Sequence, residues 1–290
     1  MDFRKVAVLG GGLLGGSLAL ALLERSSQAS VALWARRGET VGLARSRGIE
    51  GATTDMAQAV AGADLVVLST PVGAMATVLL AAQTAGLSPD ALVTDVGSVK
   101  VTPHAVLAPL LARTGGRFIG SHPMAGSELG GIAAADAGLF AGAACLLTDD
   151  ALVGDPWTGR LQEFWQELGC RTAWMTGPGH DALVARISHF PHLIASAAAQ
   201  VALEVAGDGK FGGGGLRDTT RVAGGDPAMW AEIVTENREA LIPVVARGIA
   251  RMSEMLAMLE AGDLEAVRRW LDEAKELRDA SLAERSNDFT

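Results

Sequence analysis

The feature that most constrains the fold is a glycine motif near the start of the chain. Gly10, Gly12 and Gly15 follow a short apolar segment at 5–9 and precede an apolar segment at 13–24. In a strand–turn–helix unit the first glycine permits a tight turn, the second admits a pyrophosphate to the backbone, and the third allows the helix to pack on the strand. The helix then offers free N–H groups to the phosphates. The motif predicts a dinucleotide site, the alternative being a glycine-rich turn without a ligand.

Strand-like and helix-like segments alternate through the first 177 residues. The predicted strands are 5–9, 30–35, 65–69, 91–95, 117–120, 145–148 and 172–175, with helices between them such as 73–85 and 158–168. This alternation is typical of βαβ units, whose right-handed crossovers build a doubly wound sheet. We therefore predict an α/β fold in which residues 1–177 form a Rossmann-type domain with a mostly parallel sheet.

The helical spacing of apolar residues at 178–290 predicts an all-α domain. The predicted helices are 181–205 with a kink at Pro191, a long helix from Asp226 to about 260 with a bend at Pro243, and a last amphipathic helix capped by Asp263. A glycine-rich loop at 207–215 separates the first two of these helices. The apolar faces are too numerous for one small domain to bury, which favours a homodimer whose C-terminal helices pack together.

The composition excludes several classes of protein. The formal charge is −9, whereas nucleic-acid binders usually carry a basic stripe. Cys145 and Cys170 are too few for a disulfide framework or a four-cysteine zinc site. Arg4 and Lys5 before an apolar stretch suggest a signal peptide, but the glycines within that stretch fit a strand–turn–helix better. We therefore predict a cytoplasmic protein with no nucleic-acid or membrane partner.

The segment after the second strand favours NADP over NAD. An acidic residue there would bind the ribose 2′-hydroxyl of NAD, but this chain has Arg36 and Arg37 and no acid. A guanidinium can pair with a 2′-phosphate, so NADP is preferred and NAD remains possible. The nicotinamide half is expected at the end of the strand 65–69. The predicted cofactor residues are Gly10, Gly12, Leu13, Leu14, Gly15, Arg36, Arg37, Ser69, Thr70 and Pro71.

Further polar segments carry a family resemblance. They are DVGSVK at 95–100, GSHPMAGSE at 120–128, SHFPH at 188–192 and RDTTR at 217–221, the last followed by DPAMW at 226–230. Ligands of doubly wound sheets bind beyond the carboxyl ends of the strands, where the first two segments lie. In this order and over nearly the whole chain, the segments resemble the prephenate/arogenate dehydrogenase family of tyrosine biosynthesis.

The resemblance implies an oxidative decarboxylation. A hydride leaves the ring carbon that bears the hydroxyl, and the ring carboxylate leaves as carbon dioxide. Prephenate would give 4-hydroxyphenylpyruvate, and arogenate would give tyrosine. A neutral imidazole can accept the hydroxyl proton near pH 7, and by resemblance that residue is His122. The resemblance also makes Ser98 the residue that orients His122 and binds the hydroxyl, Arg221 the carboxylate ligand, and His189 a substrate-positioning residue.

Other residues are assigned more loosely. The resemblance places Ser127, Glu128, Arg217 and Asp218 in the substrate pocket. Asp95 and Lys100 are interpreted as a local pair, and His104 and His180 as surface or core residues. His189 and His192 could hold a metal, but a third ligand is lacking.

Three questions stay open at this point. The sequence does not separate prephenate from arogenate. A dehydrogenase of the 3-hydroxyacid type would need a lysine within the helical part, whereas Lys210 lies in the glycine-rich loop. A non-catalytic NADP sensor would not need Ser98, His122 and Arg221 together.

Overall fold

The computed structural model of the protein describes residues 2–25, 29–126 and 129–287. The chain divides into two compact units, Met1–Leu241 and Ile242–Thr290. Within the described residues, no helix is both long and apolar enough to span a membrane. The predicted boundary at 177/178 stays a prediction.

The first unit contains a six-stranded parallel sheet in the order β3-β2-β1-β4-β5-β6. The strands are β1 (Lys5–Leu9), β2 (Ser30–Trp34), β3 (Ala52–Thr53), β4 (Leu65–Leu68), β5 (Leu92–Asp95) and β6 (Arg117–Phe118). The connecting helices are α1 (Leu13–Arg25), α2 (Gly38–Ser46), α3 (Met56–Val60), α4 (Val72–Thr84) and α5 (Val101–Ala112). The strand order reverses between β1 and β4, the position where doubly wound sheets bind dinucleotides. The predicted fold class is confirmed.

Both faces of this sheet are buried, as expected for parallel strands covered by helices. In β1, Val6 and Val8 pack into one apolar cluster, whereas Ala7 and Leu9 pack into another on the opposite face. This alternation follows from the two-residue period of a strand. The sheet is therefore a rigid platform, and its carboxyl edge holds the loops that carry polar residues.

A second, three-stranded sheet corrects part of the prediction. Its strands are β7 (Gly120–Pro123), β8 (Ala144–Thr148) and β9 (Arg171–Trp174), with β7 antiparallel to β8 and β8 parallel to β9. The single strand predicted at 117–120 is wrong, because the chain leaves the first sheet after Phe118 and enters the second at Gly120. Ser121 holds the two sheets together, since its N–H donates to Asp95 Oδ1 at 3.2 Å and its hydroxyl lies 2.7 Å from Thr94 Oγ1.

Helices follow the second sheet, and the described residues contain no strand after Trp174. These helices are α7 (Gly177–Val184), α8 (Phe190–Ala202), α9 (Gly214–Thr220), α10 (Pro227–Glu236), α11 (Arg238–Ala261) and α12 (Leu264–Asn287), whereas α6 (Trp157–Glu167) lies between β8 and β9. A turn of π-helix, Ala185–His189, lies just before Pro191, so the irregularity predicted at this proline is a π-turn. Such turns are frequent at functional sites.

Two helix predictions are wrong in detail. The segment 207–215 is only partly a loop, because a 3-10 turn spans Asp208–Phe211 and α9 begins at Gly214. The long helix predicted from Asp226 to 260 breaks at Asn237, whose buried side chain bonds to other residues, rather than bending at Pro243 inside α11. Asp226 caps α10 as predicted, since its carboxylate accepts from the N–H groups of Ala228 and Met229.

The second unit holds most of α11 and all of α12. Asp263 caps α12 as predicted, because its carboxylate accepts from the Ala266 N–H at 2.9 Å. Arg251 on α11 forms an ion pair with Glu273 on α12 at 2.8 Å. Large apolar side chains nevertheless remain exposed on both helices, among them Ile242, Ile249, Met252, Leu256, Leu259, Leu264, Leu271 and Leu277. An exposed apolar surface of this extent is typical of a protein–protein interface.

Candidate active site

The glycine loop between β1 and α1 has the shape that a pyrophosphate needs. Gly10 adopts φ +133°, and a Cβ there would overlap the main-chain oxygen of Ser69. A Cβ on Gly15 would overlap the main-chain oxygen of Gly10, whereas a Cβ on Gly12 would meet nothing within 4 Å. The outer glycines are therefore required by close backbone packing, and the middle glycine faces open space at the start of α1. The loop fits a dinucleotide.

The segment after β4 offers a further polar contact. Pro71 lies at the N-cap of α4, and the preceding Thr70 has a buried hydroxyl with no partner among the described residues. Buried hydroxyls are nearly always hydrogen-bonded, so Thr70 fits a contact to the nicotinamide half of a cofactor. No carboxylate directly follows β2, where Arg36 and Arg37 are exposed and form no ion pair with the described residues.

The centre of the site is a hydrogen-bonded chain of three buried residues. His122, on β7, has its Nδ1 2.8 Å from Nε2 of His180. His180, on α7, has its Nδ1 2.7 Å from Oδ1 of Asp181. The side chains of His122, His180 and Asp181 are 7%, 0% and 4% exposed, so none of these bonds competes with bulk water. These two hydrogen bonds hold the His122 ring in a fixed orientation.

Asp181 also joins the helical region to the edge of the first sheet. Its two carboxylate oxygens accept from the N–H groups of Lys100 and Val101, at 2.7 and 3.0 Å, and so cap α5. A carboxylate at a helix N-terminus is favoured by the helix dipole. The Lys100 ammonium is fully buried and forms an ion pair with Asp95, which is the local pairing predicted from the sequence.

A second histidine is held by Asn237. The Asn237 amide nitrogen donates to the main-chain oxygen of Asp181 at 2.9 Å and lies 2.9 Å from Nδ1 of His189. His189 is 1% exposed, and its Nε2 has no partner among the described residues. Because a buried N–H or ring nitrogen without a partner is costly, His189 is suited to bind a ligand atom.

His192 borders a cavity of about 460 Å³. Its ring stacks on Trp230, with centroids 3.5 Å apart and an angle of 9° between the planes. The other lining residues are mostly small or apolar and come from α8, α10 and the turn before α10. A cavity of this size could hold part of a small organic substrate.

Burial lowers the pKa of every histidine in the chain. The pKa of His122 lies well below its usual range, mainly because the ring is desolvated and further because His180, Lys100 and His189 disfavour a positive charge. Desolvation lowers the pKa of His189 to about 4. The remaining pKa values, those of His104, His180 and His192, are also lowered chiefly by burial. The rings are neutral at pH 7, and a neutral His122 can accept a proton.

Because the histidine pKa values are lower in the folded than in the unfolded state, the free energy of unfolding depends on pH. In the unfolded chain the histidines titrate near 6.5, so below that pH the unfolded state binds protons that the folded state excludes. The stability contributed by the neutral rings is present above about pH 6.5 and lost as the pH falls toward about 4, the folded pKa of His189. We expect the Tm to fall steadily over this window in calorimetry. His189→Gln should make the fall shallower, and a Tm that does not change across the window would contradict the assignment.

Comparison with known proteins identifies the family of this chain. The family described as "Prephenate dehydrogenase, nucleotide-binding domain" matches residues 18–174, and "Prephenate dehydrogenase, dimerization domain" matches residues 177–273. A cyclohexadienyl dehydrogenase of Zymomonas mobilis is 33% identical over 97% of this chain and 96% of its own length. This chain belongs to the prephenate dehydrogenase family.

Solved structures of the prephenate dehydrogenase family have the same fold. The prephenate dehydrogenase of Aquifex aeolicus, in complex with hydroxyphenyl propionate and NAD⁺, is 27% identical, with a TM-score of 0.87 over 97% of this chain and 99% of that one. The arogenate dehydrogenase of Synechocystis is 29% identical, with a TM-score of 0.76 over 96% of this chain and 99% of that one. The chain is accordingly a nicotinamide-dependent dehydrogenase rather than a sensor, and its membership of the prephenate dehydrogenase family argues against the 3-hydroxyacid alternative.

The structure brings together some of the predicted site residues. His122 and His189 both lie in the buried network. Ser98 is half-buried and forms no hydrogen bond with His122, whose ring is bonded to His180, and the role of Ser98 stays a prediction. Arg221 follows α9 on a 3-10 turn, and Arg217 pairs with Asp218 at 3.5 Å on the exposed face of α9. Ser127 and Glu128 lie outside the described residues.

Three members of the network are not predicted from the sequence: His180, Asp181 and Asn237. His180 was interpreted only as a surface or core residue. The signal available is weak, namely an adjacent His-Asp pair at the start of the predicted helix 181–205. Their role depends on contacts 58 and 48 residues apart in the chain, which no local pattern reports.

Proposed function

We propose that the protein catalyses the NADP-dependent oxidative decarboxylation of prephenate or arogenate, as a cytoplasmic homodimer. The observation that carries the proposal is the buried, neutral His122, whose Nδ1 is bonded to His180 and whose other nitrogen, Nε2, is left for a substrate proton. When bound, the oxidised nicotinamide supplies the hydride acceptor. The cytoplasmic assignment agrees with two buried free thiols, Cys145 and Cys170.

His122 acts on the ring hydroxyl of the substrate. As the carbinol carbon loses its hydride, the O–H bond breaks and Nε2 of His122 takes the proton. The bond from the ring to its carboxylate then breaks, carbon dioxide leaves, and the electron pair makes the ring aromatic. The same proton returns from His122 to the phenolate oxygen, so no net proton is released. Ser98 is proposed to donate or accept a hydrogen bond at that hydroxyl.

Arg221 is proposed to bind a substrate carboxylate. A guanidinium fork matches a carboxylate in a bidentate pair, and the substrate carries two carboxylates. Arg217 and Asp218 on α9, together with Ser127 and Glu128, are proposed to complete the pocket. The keto group of prephenate and the amino group of arogenate are both compatible with this set, so both substrates are retained.

The homodimer is proposed from the apolar faces of α11 and α12. These helices expose Ile249, Met252, Leu256 and Leu271, each by more than half of its surface. Burying such side chains contributes roughly 1.5–3 kcal/mol each. The match of residues 177–273 to a dimerization domain supports the same assignment.

NADP preference rests on Arg36, with help from Arg37. Arg36→Ala should raise the KM for NADP about 10- to 100-fold, because a charge-assisted bond to the 2′-phosphate stabilises binding by about 1.5–3 kcal/mol. The KM for NAD should change less than about two-fold, since NAD has no such phosphate. Steady-state kinetics with both cofactors measure the ratio. Arg113→Ala, another exposed arginine, serves as the matched control, and equal losses for the two cofactors would remove the basis for NADP.

Stoichiometry tests the reaction type. The proposal requires one carbon dioxide and one aromatic product for each nicotinamide reduced. A simple alcohol oxidation would reduce the nicotinamide without carbon dioxide release, and that result would overturn the proposed reaction.

A further inference from the structure

The proton between Asp181 and His180 is carried by His180. Both Asp181 oxygens accept main-chain N–H groups, from Lys100 and Val101, and such groups can only donate. The carboxylate is therefore the acceptor in its 2.7 Å contact with His180, and Nδ1 of His180 carries the proton. A neutral imidazole has one N–H only, so Nε2 of His180 holds a lone pair.

The lone pair on Nε2 of His180 in turn determines which nitrogen of His122 carries the proton. Nε2 of His180 accepts across the 2.8 Å contact, so Nδ1 of His122 must donate. The proton of the neutral His122 ring is then fixed at Nδ1, and its Nε2 holds the lone pair. The buried chain leaves a single consistent arrangement, because reversing either proton would set two acceptors or two donors against each other.

His189 carries its proton on the other ring nitrogen, Nε2. The Asn237 amide nitrogen donates to the main-chain oxygen of Asp181, which can only accept, and this fixes the orientation of the amide. Its second N–H points to Nδ1 of His189 at 2.9 Å, so that nitrogen accepts. The neutral ring therefore carries its proton at Nε2, the buried atom that has no partner among the described residues.

We infer that Asp181 holds the two site histidines in opposite tautomers, His122 as a proton acceptor at Nε2 and His189 as a hydrogen-bond donor at Nε2. It acts on His122 through the side chain of His180, and on His189 through its main-chain oxygen and Asn237. His180, Asp181 and Asn237 are positioning residues. The ligand group that suits His189 is an acceptor oxygen, a carboxylate or carbonyl, and its identification as substrate or cofactor rests on the proposed function.

The tautomers are measurable in the folded wild-type protein without substrate. Protein labelled with ¹⁵N in its five histidines gives one ring system per residue in long-range ¹H–¹⁵N spectra, and single histidine variants assign them. Protonated and unprotonated ring nitrogens have well separated ¹⁵N shifts. We expect Nδ1–H for His122 and His180, and Nε2–H for His189. Any other pattern at neutral pH overturns the inference, whether or not the protein turns over substrate.

Variants test the tautomers of His122 and His189 separately. Asn237→Asp replaces the amide donor by an acceptor, so His189 should change to the Nδ1–H form while His122 keeps its own. His180→Leu removes the acceptor for His122, and kcat should fall by up to about 10⁴-fold, by analogy with the loss of the orienting residue in a catalytic triad. The KM for the cofactor should stay unchanged. His180→Gln, whose amide oxygen can accept from Nδ1, should restore part of the rate.

Thr148→Val is the matched control. It removes a buried hydrogen bond of 2.8 Å to His104, outside this network. It should lower the Tm and leave the tautomers of His122, His180 and His189 unchanged. If Asn237→Asp leaves His189 as Nε2–H, or His180→Leu keeps the wild-type kcat, the positioning roles are wrong. Correct tautomers in a protein that reduces no nicotinamide would instead overturn the proposed function alone.

Discussion

His122→Asn should lower kcat by about 10²- to 10⁴-fold, the range that a general base contributes. An asparagine amide cannot accept the hydroxyl proton, so hydride departure would have to proceed from the neutral alcohol. Cofactor binding should stay nearly intact, because the glycine loop between β1 and α1 does not include His122. Steady-state turnover and fluorescence titration with NADP, using the six tryptophans, measure the two effects separately.

His104→Asn is the control for the loss of a buried histidine. The His104 ring packs against Phe118 and bonds to Thr148, and it makes no contact with His122 among the described residues. The control should lower the Tm while kcat changes less than about three-fold, within the usual effect of a substitution away from the reacting atoms. A wild-type kcat in His122→Asn would show that another group takes the proton.

Arg221→Ala should lower kcat/KM for the substrate by about 30- to 1,000-fold. Loss of a bidentate guanidinium–carboxylate pair removes a charge-assisted contact of about 2–4 kcal/mol. Arg221→Lys keeps the charge but loses the fork, so it should fall between the wild type and the alanine variant. The KM for NADP should not change, since the 2′-phosphate contact is assigned to Arg36.

Arg4→Ala is the matched control for Arg221→Ala, with kcat/KM for the substrate and the KM for NADP measured in the same way. Arg4 is an exposed arginine that lies 3.7 Å from Asp64, and exposed pairs contribute little. Its removal should leave substrate kinetics unchanged. If Arg221→Ala and Arg4→Ala behave alike, the substrate carboxylate is bound by another residue.

Much of the fold could be predicted because its determinants are local. The glycine motif specifies a strand–turn–helix through steric limits at Gly10 and Gly15, and buried parallel strands show up as short apolar runs such as LVVL at 65–68. Asp226 and Asp263 begin their helices through N-capping bonds within three residues. These interactions are encoded next to one another in the chain.

The errors occur where distant contacts decide the local structure. The break after Phe118 depends on Ser121 bonding to Thr94 and Asp95, about 26 residues earlier. The break at Asn237 depends on Asp181, 56 residues away. The same reason explains why His122 could be named as the base from its motif while its partners His180 and Asp181 could not: their pairing exists only after α7 packs against α5.

The most direct test of the central claim is the initial rate of nicotinamide reduction with prephenate or arogenate, each supplied with NAD or NADP. The account predicts turnover with at least one of the two substrates, with an aromatic product and a higher kcat/KM for NADP than for NAD. Folded protein that binds NADP yet reduces it with neither substrate would contradict the account.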